Sequence, residues 1–249
     1  MRKAVVFAVV AACLGAPAAA AEEITVFSTP SLKPVLSRLV PDFEKSTHHR
    51  LTIRFGAVAA LKREIDGGAP FDVALLLPGQ IDDLITEGKA VRNSRADLAV
   101  ALTGVAVRKG LPKFDVSSPD TVRQSLLSAN SAAYASDSAS GQYFLSVIDR
   151  LGISPQMQPK LRKISGNPVE AVARGEADLT IITVPNIISV PEVEFAGALP
   201  SQLQNVTTYT AAVSAATEKS ASANAFLQYL NSPDGSAAFI ANGLQRPAR

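Results

Sequence analysis

The sequence predicts an α/β protein: a mostly parallel sheet flanked by helices. Three observations predict it. From Ile24 to Gly88, β-prone and helical runs alternate in the order β-α-β-α-β-α, the signature of a parallel sheet with helices on both faces. The run Phe71 to Leu77, broken only by Asp72, is the kind of segment that a strand buried on both faces requires. The 249 residues are 47% hydrophobic and 18% charged, which excludes a disordered chain and suffices for one large domain or two small ones.

Taken in order, Arg2 and Lys3 precede the apolar run Ala4 to Leu14, too short to span a bilayer, and Ala19-Ala20-Ala21 offers a small-residue cleavage site. Together they read as a signal peptide over residues 1–21, cleaved before Glu22, and predict export to the periplasm. The alternative is a lipoprotein box at Val10-Ala11-Ala12-Cys13, with Cys13 acylated. Cleavage after Ala21 leaves a cysteine-free chain, which suits an oxidising compartment.

Ile24 to Ser28 is a strand. Val35, Leu36, Leu39, Val40 and Phe43 then recur at helical spacing after Pro34, and Pro41 should kink or restart that helix. Leu51 to Phe55 alternates as a strand does. Val58, Leu61 and Ile65 mark a helix stopped at Gly67-Gly68, and Ile81, Leu84 and Ile85 mark another ended at Gly88. Ala96 to Val107 is a strand long enough to cross between two domains. Ser118-Pro119-Asp120 reads as an N-cap, a first-turn proline and an acidic first turn. Ala132 to Ala135, Lys160 to Ile164, Leu179 to Val184 and Val206 to Val213 are further strands. The helices between them carry Phe144 to Leu151 and Val169 to Val172, and two more at the C-terminus carry Phe226 with Leu230 and Phe239 with Ile240.

Several function classes are excluded. Lys plus Arg is 24 against 22 for Asp plus Glu, so no basic excess suggests nucleic acid. One cysteine and two adjacent histidines, His48 and His49, predict neither a disulfide framework nor a metal site, and no cofactor is expected. The histidines read as a solvated turn. No nucleophile elbow, phosphate loop or dinucleotide fingerprint occurs. What recurs is a strand, a small polar loop and a helix start, at Ser28 to Ser31, Gly56 to Ala59, Ser138 to Gly141 and Asn167. Each loop alone is ordinary capping. Several converging at the carboxyl ends of strands would form an anion-binding cleft from helix N-termini.

These residues carry a resemblance. Ile24 to Leu32, Phe55 to Ile65, Gly67 to Val73, Asn93-Ser94-Arg95, Gly175-Glu176-Ala177 and Ala225 to Gly235 are similar to motifs of the periplasmic molybdate-binding proteins, within the type II periplasmic solute-binding proteins. The resemblance implies a two-lobe α/β fold closing on its ligand by hinge motion. The lobes are expected at 22–102 plus 207–249 and at 103–206. Carried over position by position, it implies ligand contacts at Ser31, Ser140, Asn167 and Thr183. The family's second serine falls at Val58 or Ala59, its backbone donor at Pro168, which has no N–H, and its tyrosine near Thr183. That donor set is incomplete for a tetrahedral oxyanion. It makes an organic carboxylate competitive, with Lys33, Arg54 and Lys62 as candidate clamps. The expectation is a monomer that captures a small anion, an oxyanion such as molybdate or an organic carboxylate, and delivers it to the membrane permease of an ABC transporter. The alternative is implied by a similarity to periplasmic aconitate isomerases: proton transfer on a tricarboxylate, with Lys33, Lys62 or Asp137 as base. Asp72 reads as structural.

Overall fold

The computed structural model describes residues 21–247; the leader segment expected at 1–21, Cys13 included, lies almost wholly outside them. Ten strands and ten helices follow in the order β1 (Glu23–Ser28), α1 (Lys33–Thr47), β2 (Arg50–Phe55), α2 (Val58–Asp66), β3 (Val73–Leu76), α3 (Pro78–Thr86) and β4 (Ala96–Arg108). Next come α4 (Pro119–Ser128), β5 (Ala132–Tyr134), α5 (Ala139–Arg150), α6 (Ser154–Met157), β6 (Leu161–Lys163), α7 (Pro168–Ala173), β7 (Leu179–Thr183) and α8 (Val184–Ile188). The chain ends with β8 (Val193–Ala198), β9 (Val206–Val213), α9 (Ser220–Asn231), α10 (Pro233–Ala241) and β10 (Leu244–Gln245).

The strands hydrogen-bond in the order β2-β1-β3-β9-β4-β7-β5-β6, with β8 and β10 also paired to β4. β2, β1 and β3 are mutually parallel, as are β6, β5 and β7; β9 and β4 run antiparallel to the strands beside them. β4 spans both parts. Its residues up to Leu102 pair with β9; Thr103 to Val107 pair with β7, and Gly104 to Arg108 also pair with β8. β3 therefore runs in the same sense as β4, and β7 and β5 run against it. The carboxyl ends of β1 and β3 and those of β5 and β7 thus point toward one another across the crossover.

The apolar side chains divide at the same place. One cluster packs α1, α9 and α10 on the sheet through Val26, Leu36, Phe43, Phe226 and Phe239, and another packs α2 and α3 on the opposite face through Phe27, Leu61, Ile65, Leu76 and Ile81. The second half repeats the arrangement. Val105, Val107 and Ile181 face α4 and α5, while Ala106 and Ile182 face α7 and α8, as the two-residue period of a strand requires.

Pro41 does not break α1, which is continuous to Thr47. The lost hydrogen bond is outweighed because Val35, Leu36, Leu39 and Phe43, on either side of it, are all buried. His48 ends the helix in a left-handed conformation at φ 63°. His49 stacks on Phe43 and its Nδ1 accepts from the Glu22 N–H at 3.2 Å, so the turn is tied to the start of β1 and is not merely solvated. Four elements were not anticipated: α6, with four residues, α8, β8 and β10. α8 is five residues long, β8 contains Glu194 and Gly197, and β10 has two residues; none carries a periodic signal. Ser118 forms the expected cap, reciprocally with Thr121.

Candidate ligand-binding site

The site is built from the segments just after β1 and β7. After β1, a single tight turn over Pro30–Leu32 leads into α1 and carries Ser31. After β7, the chain turns at Thr183 directly into α8, with Pro185 near its start. Because α8 is helical, residues 183 and 186 share a face. The Asn186 Nδ2 donates to Thr183 Oγ1 at 2.9 Å and reaches Ser31 Oγ at 3.5 Å. Ser31 and Asn186 are 155 residues apart, and their contact bridges the two halves. The Tyr209 side chain, on the crossing strand β9, completes the group. It is 2% exposed; burial pushes its phenol up, and a hydrogen bond with Ser31 works the other way. The phenol therefore stays protonated at neutral pH.

Two hydroxyls at the end of β1 are left without partners. Ser28 and Thr29 are buried, and neither side-chain oxygen has a hydrogen-bond partner among the described residues. Most buried hydroxyls are satisfied.

Of the residues singled out from sequence, Ser31 and Thr183 are brought together by Asn186. Ser140 is the second residue of α5, its Oγ 3.3 Å from that of Ser138, which caps the helix by accepting from the Gly141 N–H at 3.0 Å. Asn167 caps α7, its Oδ1 accepting from the Val169 N–H at 3.1 Å. Lys33 is exposed at the first position of α1 and has no ion-pair partner among the described residues. Arg54 makes a two-point contact with Glu64, at 2.8 and 2.6 Å. Lys62 bonds Asp66 and Glu87 at 2.7 and 2.8 Å. Both cations are thus neutralised by neighbours on the α2–α3 side. Asp137 is exposed in the turn before α5. Asp72 is structural in geometry: it accepts from the Thr25 N–H, Thr217 Oγ1 and Lys219 Nζ.

Sequence reasoning missed Asn186 and Tyr209. The first had a usable signal, since a polar residue three positions after Thr183 shares its face if a helix begins there. Tyr209 sits among threonines in a β-prone strand and had none. Among the described residues no cluster of His, Cys, Asp or Glu could hold a metal, and no helix is long and apolar enough to cross a membrane.

The arrangement can be set beside known proteins. A family model described as bacterial extracellular solute-binding protein matches residues 24–245. The chain is 34% identical over 229 residues to the aconitate isomerase of a Pseudomonas species, covering 89% of this chain and 87% of that protein. It is 24% identical over 223 residues to the molybdate-binding protein ModA of Escherichia coli K12, covering 87% and 86%. The periplasmic molybdate-binding protein of Azotobacter vinelandii superposes with a TM-score of 0.74 at 21% identity, over 90% of this chain and all of that one.

Proposed function

The chain belongs to the bacterial extracellular solute-binding proteins, and we propose that it captures a small anion between two hinged lobes, an organic polycarboxylate in preference to molybdate. The observation that carries this reading is the uncharged cluster at the crossover, where Asn186 gathers Ser31 and Thr183 beside Tyr209. Neutral donors held at the carboxyl ends of strands are suited to anion oxygens, which need hydrogen bonds more than counter-charge in a partly dry site. Valine and alanine at 58 and 59 and proline at 168 remove donors that a tetrahedral oxyanion would use, and an oxyanion left with unmade bonds binds weakly. Lys33, two residues along from Ser31, supplies a nearby positive charge.

The lobes in this reading are 22–102 with 207–249, and 103–206. Ser140 and Asn167 line the second lobe's side of the cleft through the N-termini of their helices. Arg54 and Lys62 contribute only if their ion pairs open. The signal peptide exports the chain to the periplasm, where it acts as a monomer and hands its ligand to an ABC permease.

A second reading is favoured by the 34% identity to an aconitate isomerase. In it the bound tricarboxylate is also isomerised: a base takes a proton from the methylene carbon, the double bond shifts, and a proton returns to the former vinyl carbon. No oxidant or cofactor is required. Lys33, beside Ser31, is the candidate base, ahead of the paired Lys62 and the exposed Asp137.

Calorimetry of the chain from Glu22 onward against molybdate, tungstate, sulfate, citrate, tricarballylate and both aconitates tests the reading. Binding of the tricarboxylates, with weak or no binding of molybdate, is expected. Binding of molybdate or tungstate alone overturns it. Proton NMR of the aconitate samples over hours separates capture from isomerisation.

A further inference from the structure

We propose that Asn186 is a positioning residue that sets the polarity of the site, turning the Ser31 and Thr183 hydroxyls outward as donors and so selecting a ligand with acceptor oxygens. The inference rests on the anion-capture reading and deepens it. An amide nitrogen carries two hydrogens and accepts nothing. In this structure it faces Thr183 Oγ1 at 2.9 Å and Ser31 Oγ at 3.5 Å. Each hydroxyl oxygen that accepts from the amide keeps its own hydrogen to give elsewhere. The hydroxyl hydrogens of Thr183 and Ser31 therefore remain for a ligand.

The reverse orientation has the opposite consequence. With the amide oxygen toward the two hydroxyls, both would donate inward, and only lone pairs would face a ligand. That site would prefer a donor-bearing ligand. Nothing else fixes the choice on the amide's own element: Pro185 lacks an N–H, and Ile187 and Ile188 are apolar. The same contact spans both halves of the chain, so the polarity is set in the conformation in which Ser31 and α8 are in contact.

Two experiments test this on the chain from Glu22 onward. The first is hydrogen exchange of the Asn186 side-chain amide by NMR, without ligand. Both hydrogens should be protected, and Thr183→Val should release one of them. Free exchange of both overturns the assignment. The second is titration of wild type, Asn186→Asp and Asn186→Leu with trans-aconitate and with molybdate. Asn186→Asp keeps the shape but can only accept and adds a negative charge, so it should weaken the anion that wild type binds by at least tenfold; Asn186→Leu, which removes the amide without adding charge, should weaken it several-fold, and wild-type affinity in Asn186→Leu overturns the assignment. Wild-type affinity in Asn186→Asp overturns the assignment while leaving anion capture standing. Failure of wild type to bind either anion removes the anion reading and this inference together, even if the amide is protected. If Asn186→Asp does not fold, the exchange measurement and Asn186→Leu still decide.

Discussion

Ser31 is carried by a tight turn whose other residues are fixed by proline and by the buried Leu32. Its hydroxyl faces the Asn186 amide, so it needs little reordering to meet a ligand. Ser31→Ala should weaken the bound carboxylate by roughly 10- to 100-fold, the usual loss for a hydrogen bond to a charged group. Calorimetry measures the loss, and an unchanged melting temperature shows that folding is intact. Asp72 is the contrasting residue. Burial alone would raise its carboxyl, but bonds from Thr217, the Thr25 N–H and Lys219 hold it below the usual range. Asp72→Ala leaves those donors unpaired and should cost about 2–3 kcal/mol in urea melts, with anion affinity unchanged. Asp66 is held down to about 2 by Lys62 and Lys89. The contribution is complete above the carboxylate's ordinary value near 4 and is lost as the pH falls toward 2. Lys62→Met should therefore flatten the acid limb of stability against pH, and a melting series from pH 2 to 5 reads it.

Among the elements, α5 shows how a loop places a helix start. Ser138 caps it, and Gly141 lies so close to the end of β5 that a Cβ there would come within 1.8 Å of the Ala135 carbonyl oxygen. No side chain fits without moving the helix. Gly141→Ala should cost about 3 kcal/mol, against about 1 kcal/mol for Ser118→Ala, which removes only the cap of α4. Denaturant melts of the two variants check the ranking. The cap signals and glycine stops were legible in the sequence because they act within a few residues: Ser118, Asn167 and Gly175 stand where a local rule puts them. α8 was not legible. Five residues cannot show a period, yet this helix carries Asn186 into the site and packs Ile188 and Val184 against Gly243.

At the scale of the whole molecule, one side chain ties the crossover strand to the segment before β9. Gln204 Oε1 accepts from the Thr103 and Asn205 N–H groups, and its Nε2 donates to the Thr103 and Leu199 carbonyls. All four hydrogen-bonding positions of the amide are used, at the point where β4 leaves one set of partners for the other. Gln204→Leu should destabilise the protein by about 2–4 kcal/mol. Small-angle scattering should show a broader distribution of sizes for the variant if this knot limits lobe rotation, and an identical profile would assign it to stability alone.

By itself the sequence determined the α/β class, nearly all the longer elements and the two long crossing strands, β4 and β9. It did so because periodicity, caps and turn residues act over distances of a few positions. It also determined the resemblance to the solute-binding proteins, through short motifs spread along the chain. The composition of the site, by contrast, follows from the way the chain folds back on itself. Arg54 and Lys62 were attractive as cations, but their charges are met by Glu64 and by Asp66 and Glu87; of these only Asp66, one turn along the same helix from Lys62, is a partner that helical spacing offers in the sequence. Asn186 and Tyr209 join Ser31 because β4 and β9 run through both halves and aim the carboxyl ends of β1 and β7 at one another. A contact spanning 155 residues is fixed by strand order and direction, and neither is written in the neighbourhood of any one residue.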